Sequence, residues 1–107
     1  MELERKAWTG SIKPGCIDEY VKRHDEIWPE MVAALKEAGI ENYTIFRNGL
    51  QLFGYYECVH GIAYAQRVQA ESPVVQRWNA YMKDILILER DPETGASVQL
   101  IPVFRLD

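Results

Sequence analysis

Tyr20 and His24 stand four residues apart in the stretch "EYVKRHDEIWPEM", residues 19–31. In a helix that spacing puts both side chains on one side. Imidazole titrates near 6.5, so it can give and take a proton near neutral pH. A histidine held beside a phenol in a pocket could serve as a general acid or base. A histidine on a packed apolar stripe can also be a core residue satisfied by one hydrogen bond. The other chemistries find little support. The two histidines, His24 and His60, share no metal-ligand spacing, and there is no HExxH, no cysteine pair and no EF-hand loop. A metal site is therefore not expected. Neither a GxSxG elbow nor a glycine-rich phosphate loop occurs.

Aromatic residues are the other conspicuous resource. Tyr20, Trp28, Tyr43, Tyr55, Tyr56, Trp78 and Tyr81 are many large amphipathic rings for 107 residues. Such rings fill cores, and they also suit sugars. Their faces contact the C–H side of a pyranose, and a phenol can bond ring hydroxyls.

The elements that must position these groups follow from periodicity. "ERKAWTGSI" (4–12) reads as a strand ended by "KPG" (13–15). Apolar residues then recur at 17, 20, 21, 24, 27, 28, 31, 35 and 38, counting His24, which is the helical period. Gly39 is a C-cap. Pro29 pushes Trp28 away from α geometry, so the helix breaks there, with Asp25 to Trp28 irregular. "ENYTIFRNGLQLFGYYECV" (41–59) reads as a β-hairpin with Asn48–Gly49 as its turn. That register pairs Arg47 with Leu50, Ile45 with Leu52 and Tyr43 with Gly54, leaving open space beside Tyr43. "GIAYAQRVQAE" (61–71) and "SPVVQRWNAYMKDIL" (72–86) read as helices, the second N-capped by Ser72 with Pro73 in first position. "RDPETGAS" (90–97) is a loop, and "VQLIPVFRL" (98–106) a final strand placed at an edge by Pro102. The order is βαββαβ with an extra helix. It predicts an α+β fold: an antiparallel sheet with helices on one face.

The length predicts a single domain over 1–107. With 48% hydrophobic and 26% charged residues, a packed core is expected. Net charge is −4 and the pI near 5.2, which argues against a nucleic-acid partner. No basic run marks a membrane surface, no apolar run is long enough to span one, and "MELERKAW" is no signal peptide. Cys16 and Cys58 read as reduced thiols, so a cytoplasmic protein is expected. Both faces of the hairpin are apolar, Ile45 and Leu52 on one and Phe46 and Phe53 on the other. A homodimer that covers the second face is expected.

The segments "RKAW", "EYVKRHDEIWPEM", "NYTIF", "LFGYYE" and "VQRWNAYM" together resemble the L-rhamnose mutarotase family along nearly the whole chain. The most specific element is Tyr20 and His24 followed by Ile27, Trp28, Pro29 and Glu30. The resemblance implies a ferredoxin-like fold that pairs into a dimeric α+β barrel. It implies cofactor-free interconversion of the α and β anomers of L-rhamnose or a related 6-deoxy sugar. The family's proton donor falls on His24, and its sugar-contacting residues on Tyr20, Tyr43 and Trp78. Where the family commonly carries a second tryptophan, this chain has Asn79, a further candidate for substrate contact and specificity. For the second proton-transfer group, Asp25, Glu57, a tyrosine or water all fit.

Two other classes share the expected architecture. A cofactor-free monooxygenase or heme-handling enzyme can use the same dimeric barrel, with His24 as an axial ligand in the heme case. A non-catalytic sugar-binding module could use the same aromatic rings.

Overall fold

Alternating burial along the two central strands and burial at helical spacing in the helices give the chain its layers. The computed structural model describes residues 3–88, 90, 93, 98 and 100–106. The elements run β1 (Glu4–Ile12), α1 (Ile17–Asp25), α2 (Pro29–Glu37), β2 (Ile40–Asn48), β3 (Gln51–Cys58), α3 (Ile62–Glu71), α4 (Pro73–Met82) and β4 (Leu86–Leu88). All pairings are antiparallel, in the order β2-β3-β1-β4. The fold is α+β and ferredoxin-like, with two helices in each crossover.

One sheet face carries Lys6, Trp8, Ile12, Leu52, Tyr56 and Cys58, all buried. The helices cover that face with Tyr20, Met31, Ala34, Val75, Trp78 and Met82. The opposite face is open, with Phe46 61%, Phe53 44% and Ile87 53% exposed. Phe46 and Phe53 are direct cross-strand partners there.

Local chemistry sets the helix ends. Asp18 and Glu19 lie in the first turn of α1, and Lys22 and Arg23 in its last, each complementing the helix dipole. The chain breaks before Pro29, with Trp28 extended at ψ 132° and Pro29 opening α2. At the start of α4 the Ser72 hydroxyl accepts from the Val75 amide at 3.4 Å.

The hairpin departs from the sequence expectation by one residue. Its turn is Gly49–Leu50, and Asn48 pairs with Gln51. Gly49 adopts φ 60° while Leu50 keeps a negative φ, a primed turn that suits glycine in first place. Ile45 therefore faces Gly54, and Tyr43 does not. The expected opening beside Tyr43 is absent because the Trp8 indole lies across Gly54. A bulge between Glu41 and Thr44 was also not anticipated. It contains Asn42 at φ 51°, a left-handed conformation that asparagine tolerates.

The C-terminal expectations also change. The helix expected to Leu86 ends at Met82, and Leu86–Leu88 takes the edge beside Gly10–Ile12 as β4. The expected strand over 98–106 is not formed among its described residues, although the Leu100 amide donates to the Ala7 carbonyl at 3.3 Å. Pro102 has no N–H to offer a ladder. Of the expected loop 90–97, only Arg90 and Glu93 fall among the described residues.

A Cβ at Gly54 would overlap the Trp8 ring, so Gly54→Ala forces the indole to shift. Overpacking of this kind costs about 1–3 kcal/mol. Urea unfolding should show that loss, and an unchanged midpoint would mean that the Trp8 ring moves without cost.

Candidate active site

A cavity of about 900 Å³ opens between the sheet and the helices. That volume falls within the roughly 300–1,000 Å³ typical of small-molecule sites. Four of the five sequence candidates, Tyr20, His24, Tyr43 and Trp78, line it together with Asn79, the fifth. Tyr20 and Trp78 are buried, His24 is half-buried, and Asn79 is exposed.

Helix α1 sets His24. Its ring lies 4.4 Å from the Tyr20 ring, one helical turn back, and edge-on to Trp78 at 5.6 Å. Nδ1 sits 3.1 Å from the Tyr20 carbonyl oxygen. A carbonyl only accepts, so Nδ1–H donates, and the neutral ring keeps its lone pair on Nε2. Burial lowers the His24 pKa from 6.5, against the opposing effects of the Tyr20 carbonyl and Asp25. The ring at neutral pH is thus a proton acceptor that becomes a donor once charged.

Tyr43 reaches the cavity through the bulge. Ile40 faces the helices opposite Cys58, and strict alternation would turn residue 43 outward. The extra residue reverses the parity, so Tyr43 and Ile45 both face inward. Asn42 instead donates to Glu57 on the open face at 2.8 Å. Tyr43 as a whole is 37% exposed, yet its hydroxyl accepts from Trp8 Nε1 at 3.0 Å and its ring lies 4.9 Å from Tyr56. Burial raises the pKa of Tyr43 and pushes those of Tyr20 and Tyr56 up to about 12. All three phenols stay protonated and can hydrogen-bond hydroxyls both ways.

Trp78 is held by a second aromatic layer. Trp28 meets it edge-on at 5.1 Å and stacks on Tyr81 at 5.5 Å. Such pairs each add about 0.5–1.5 kcal/mol beyond area burial. Arg23 covers the Tyr81 ring at 4.1 Å, accepts no proton role, and bonds Glu19, Asp84 and the Tyr81 carbonyl. It ties the last turn of α1 to the end of α4.

Of the carboxylates considered for a second proton transfer, neither lines the cavity. Glu57 belongs to the open face, where Tyr55 and Asn42 bond it. Asp25 is exposed and borders a smaller hollow of about 180 Å³ that shares Tyr20 and His24. Sequence reasoning missed Lys6, Trp8 and Gln69, which line the cavity, and named Tyr56 only among the aromatic rings at large. The signal was available for the two on β1. Lys6 and Trp8 share the parity of Ile12, so a buried Ile12 places both on the covered face.

Among the described residues, no group of three or more His, Cys, Asp or Glu could hold a metal ion. No helix among them is long and apolar enough to cross a membrane.

Residues 5–106 match the family model described as L-rhamnose mutarotase. A curated L-rhamnose mutarotase of Oceanobacillus iheyensis is 39% identical over 107 residues, covering 98% of this chain and 100% of its own. One from Tolumonas auensis is 42% identical over 106 residues, covering 95% and 97%. The crystal structure of an L-rhamnose mutarotase from Formosa agariphila superposes with a TM-score of 0.75 at 30% identity, over 97% of this chain and 99% of that one. On these similarities the chain belongs to the L-rhamnose mutarotase family.

Proposed function

We propose that the chain interconverts the α and β anomers of L-rhamnose, or a closely related 6-deoxy sugar, by acid–base ring opening at His24. The observation that carries this reading is the convergence of His24, Tyr20, Tyr43 and Trp78 on one cavity in a chain of this family. Ring opening needs a proton removed from the anomeric hydroxyl and one delivered to the ring oxygen. Reclosure on the other carbonyl face reverses both transfers. An imidazole that takes and returns a proton suits a reaction run in both directions, and a positioned group contributes about 10²–10⁴-fold. No cofactor enters this scheme. The tyrosine hydroxyls and the Trp78 ring then hold the sugar's hydroxyls and its C–H face. The two unpaired thiols, Cys16 and Cys58, fit a reducing, cytoplasmic setting.

His24→Asn should remove catalysed anomer exchange, followed by NMR exchange between the anomeric protons of L-rhamnose, while circular dichroism stays native. Full activity in the folded variant rules out the role. In the wild type the neutral ring is the acceptor, and its folded pKa lies below 6.5. The acid limb of kcat/KM should therefore fall below pH 6.5. The unfolded chain takes up this proton at higher pH than the folded one. The stability of the neutral ring is thus full above pH 6.5 and lost as pH falls through the folded value. An acid limb above pH 6.5 contradicts the burial of the ring.

Asn79 stands exposed at the cavity margin, beside the buried Trp78. Its amide can read a hydroxyl, and a site built that way discriminates strongly against sugars lacking it. Asn79→Trp should shift relative exchange rates toward L-rhamnose. An unchanged rate ratio across L-rhamnose, L-fucose and other aldoses removes position 79 from specificity.

The same reading includes a homodimer. Phe46, Phe53 and Ile87 are exposed on the open face, and Ile101, Val103, Phe104 and Leu106 are each more than 80% exposed. Apolar surface in this quantity favours a second copy as its cover. Light scattering should give twice the 12.4 kDa chain mass. Monomer alone at micromolar concentration counts against it.

A further inference from the structure

Lys6 is the one charged side chain that is buried among the described residues, at 1% exposure, and it lines the same cavity as His24. It sits on β1 two residues before Trp8, directly across from Tyr56 on β3. Burying an ammonium costs stability and lowers the group's tendency to charge. A leucine or methionine would fill this position at no such cost. The lysine is nonetheless placed on the covered face, lining the cavity that Trp8, Tyr56, Tyr43 and Tyr20 also line.

The charge pattern of the cavity sharpens the point. Among the described residues no Asp or Glu lines it. The other cations on its wall, Lys13, Arg67, Lys83 and Arg90, are only half-buried or exposed. The carboxylate on the same strand face, Glu4, is engaged by the Ile62 amide at 2.8 Å. Among the described residues, the groups left to supply the second proton of ring opening are a phenol, a lysine or water.

We infer that Lys6 is the second proton-transfer group, donating to the ring oxygen while His24 acts at the anomeric hydroxyl. This rests on the mutarotase reading above. The step balances without any other reactant. Nε2 of His24 takes the O1–H proton, the C1–O5 bond breaks as C1=O forms, and the electron pair left on O5 takes a proton from the Lys6 ammonium. After the C1–C2 bond rotates, O5 attacks the other face of the carbonyl and returns its proton to the Lys6 amine. The carbonyl oxygen recovers the His24 proton. Both side chains end in their starting states.

Acidity supports the choice of lysine over phenol. Burial lowers the Lys6 pKa from 10.5, with the Cys58 thiol opposing, whereas Tyr20 and Tyr56 are pushed up to about 12. A general acid works best when its pKa approaches the working pH. Lys6 moves toward that range and the phenols move away from it.

Three variants test the assignment against wild type, by NMR exchange between the L-rhamnose anomers. Lys6→Met should fold and lose about 10²-fold or more of the catalysed rate. Lys6→Ala should lose as much and recover part of it with added ethylammonium, but not with tetramethylammonium, which has charge and no N–H. A merely structural lysine would not distinguish the two cations. Wild-type rates in Lys6→Met, or equal rescue by both cations, overturn the assignment. Should the truncations unfold, Lys6→Arg keeps charge and length with a proton too tightly held to transfer. Full activity there overturns the assignment, and a folded but slow Lys6→Arg supports it. A wild type that does not speed anomer exchange at all overturns the mutarotase reading itself. An active wild type with an equally active Lys6→Met overturns Lys6 alone.

Discussion

The contact between Trp8 and Gly54 organises the rest of the site. A sheet face roofed by helices would normally be filled by side chains from every strand. Here Gly54 on the central strand pair leaves a position without a side chain, and an indole lies across it. The ring is large, flat and polar at one edge. Its N–H donates to Tyr43, which fixes the phenol from the neighbouring strand, and Tyr43 in turn meets Tyr56. The floor of the cavity is thus one connected set of rings. Its shape depends on close packing, since protein interiors hold few voids larger than a water molecule.

The roof is built by a different logic. His24 and Tyr20 share one helical turn, so backbone geometry alone sets their relation. Trp78 comes from the other crossover, and Trp28 and Tyr81 hold it from behind. The break at Pro29 is what lets Trp28 leave the helix line and face α4. Arg23 then joins α1 to the end of α4, with its guanidinium stacked on Tyr81 and forked onto Asp84. An exposed ion pair contributes little to stability. Its use here is geometric, because it holds two helices that carry opposite walls.

Much of this was legible from residue patterns. The period-3.6 stripe with Pro29 gave two helices where two exist, and Ser72–Pro73 marked the start of α4. The Tyr20–His24 spacing placed both groups on the cavity. What escaped had physical causes. Turn choice at Asn48–Gly49–Leu50 depends on one dihedral, and a one-residue error moves every partner. The short strand Leu86–Leu88 was hidden because Met82–Ile85 continues an apolar helical stripe, so periodicity alone does not end the helix. Lys6 was passed over because lysine is rarely buried, although its parity with Trp8 and Ile12 already placed it on the inner face. The monooxygenase and heme readings rested on architecture alone. Similarity over nearly the whole chain carries far more information than a shared fold.

The bulge at Asn42–Tyr43 has a consequence for how chain length varies among homologous proteins. A single extra residue shifts the alternation of β2, so that Ile40 ahead of it and Ile45 after it, an odd number of positions apart, both point at the helices. Losing Asn42 would restore strict alternation, with Tyr43 opposite Tyr56 and still facing the cavity and Thr44 on the open face. A one-residue deletion in this short stretch should therefore be tolerated by the facing of the strand. A homologue that aligns with a gap at Asn42 keeps its inward aromatic ring and gives up the amide that donates to Glu57 on the open face.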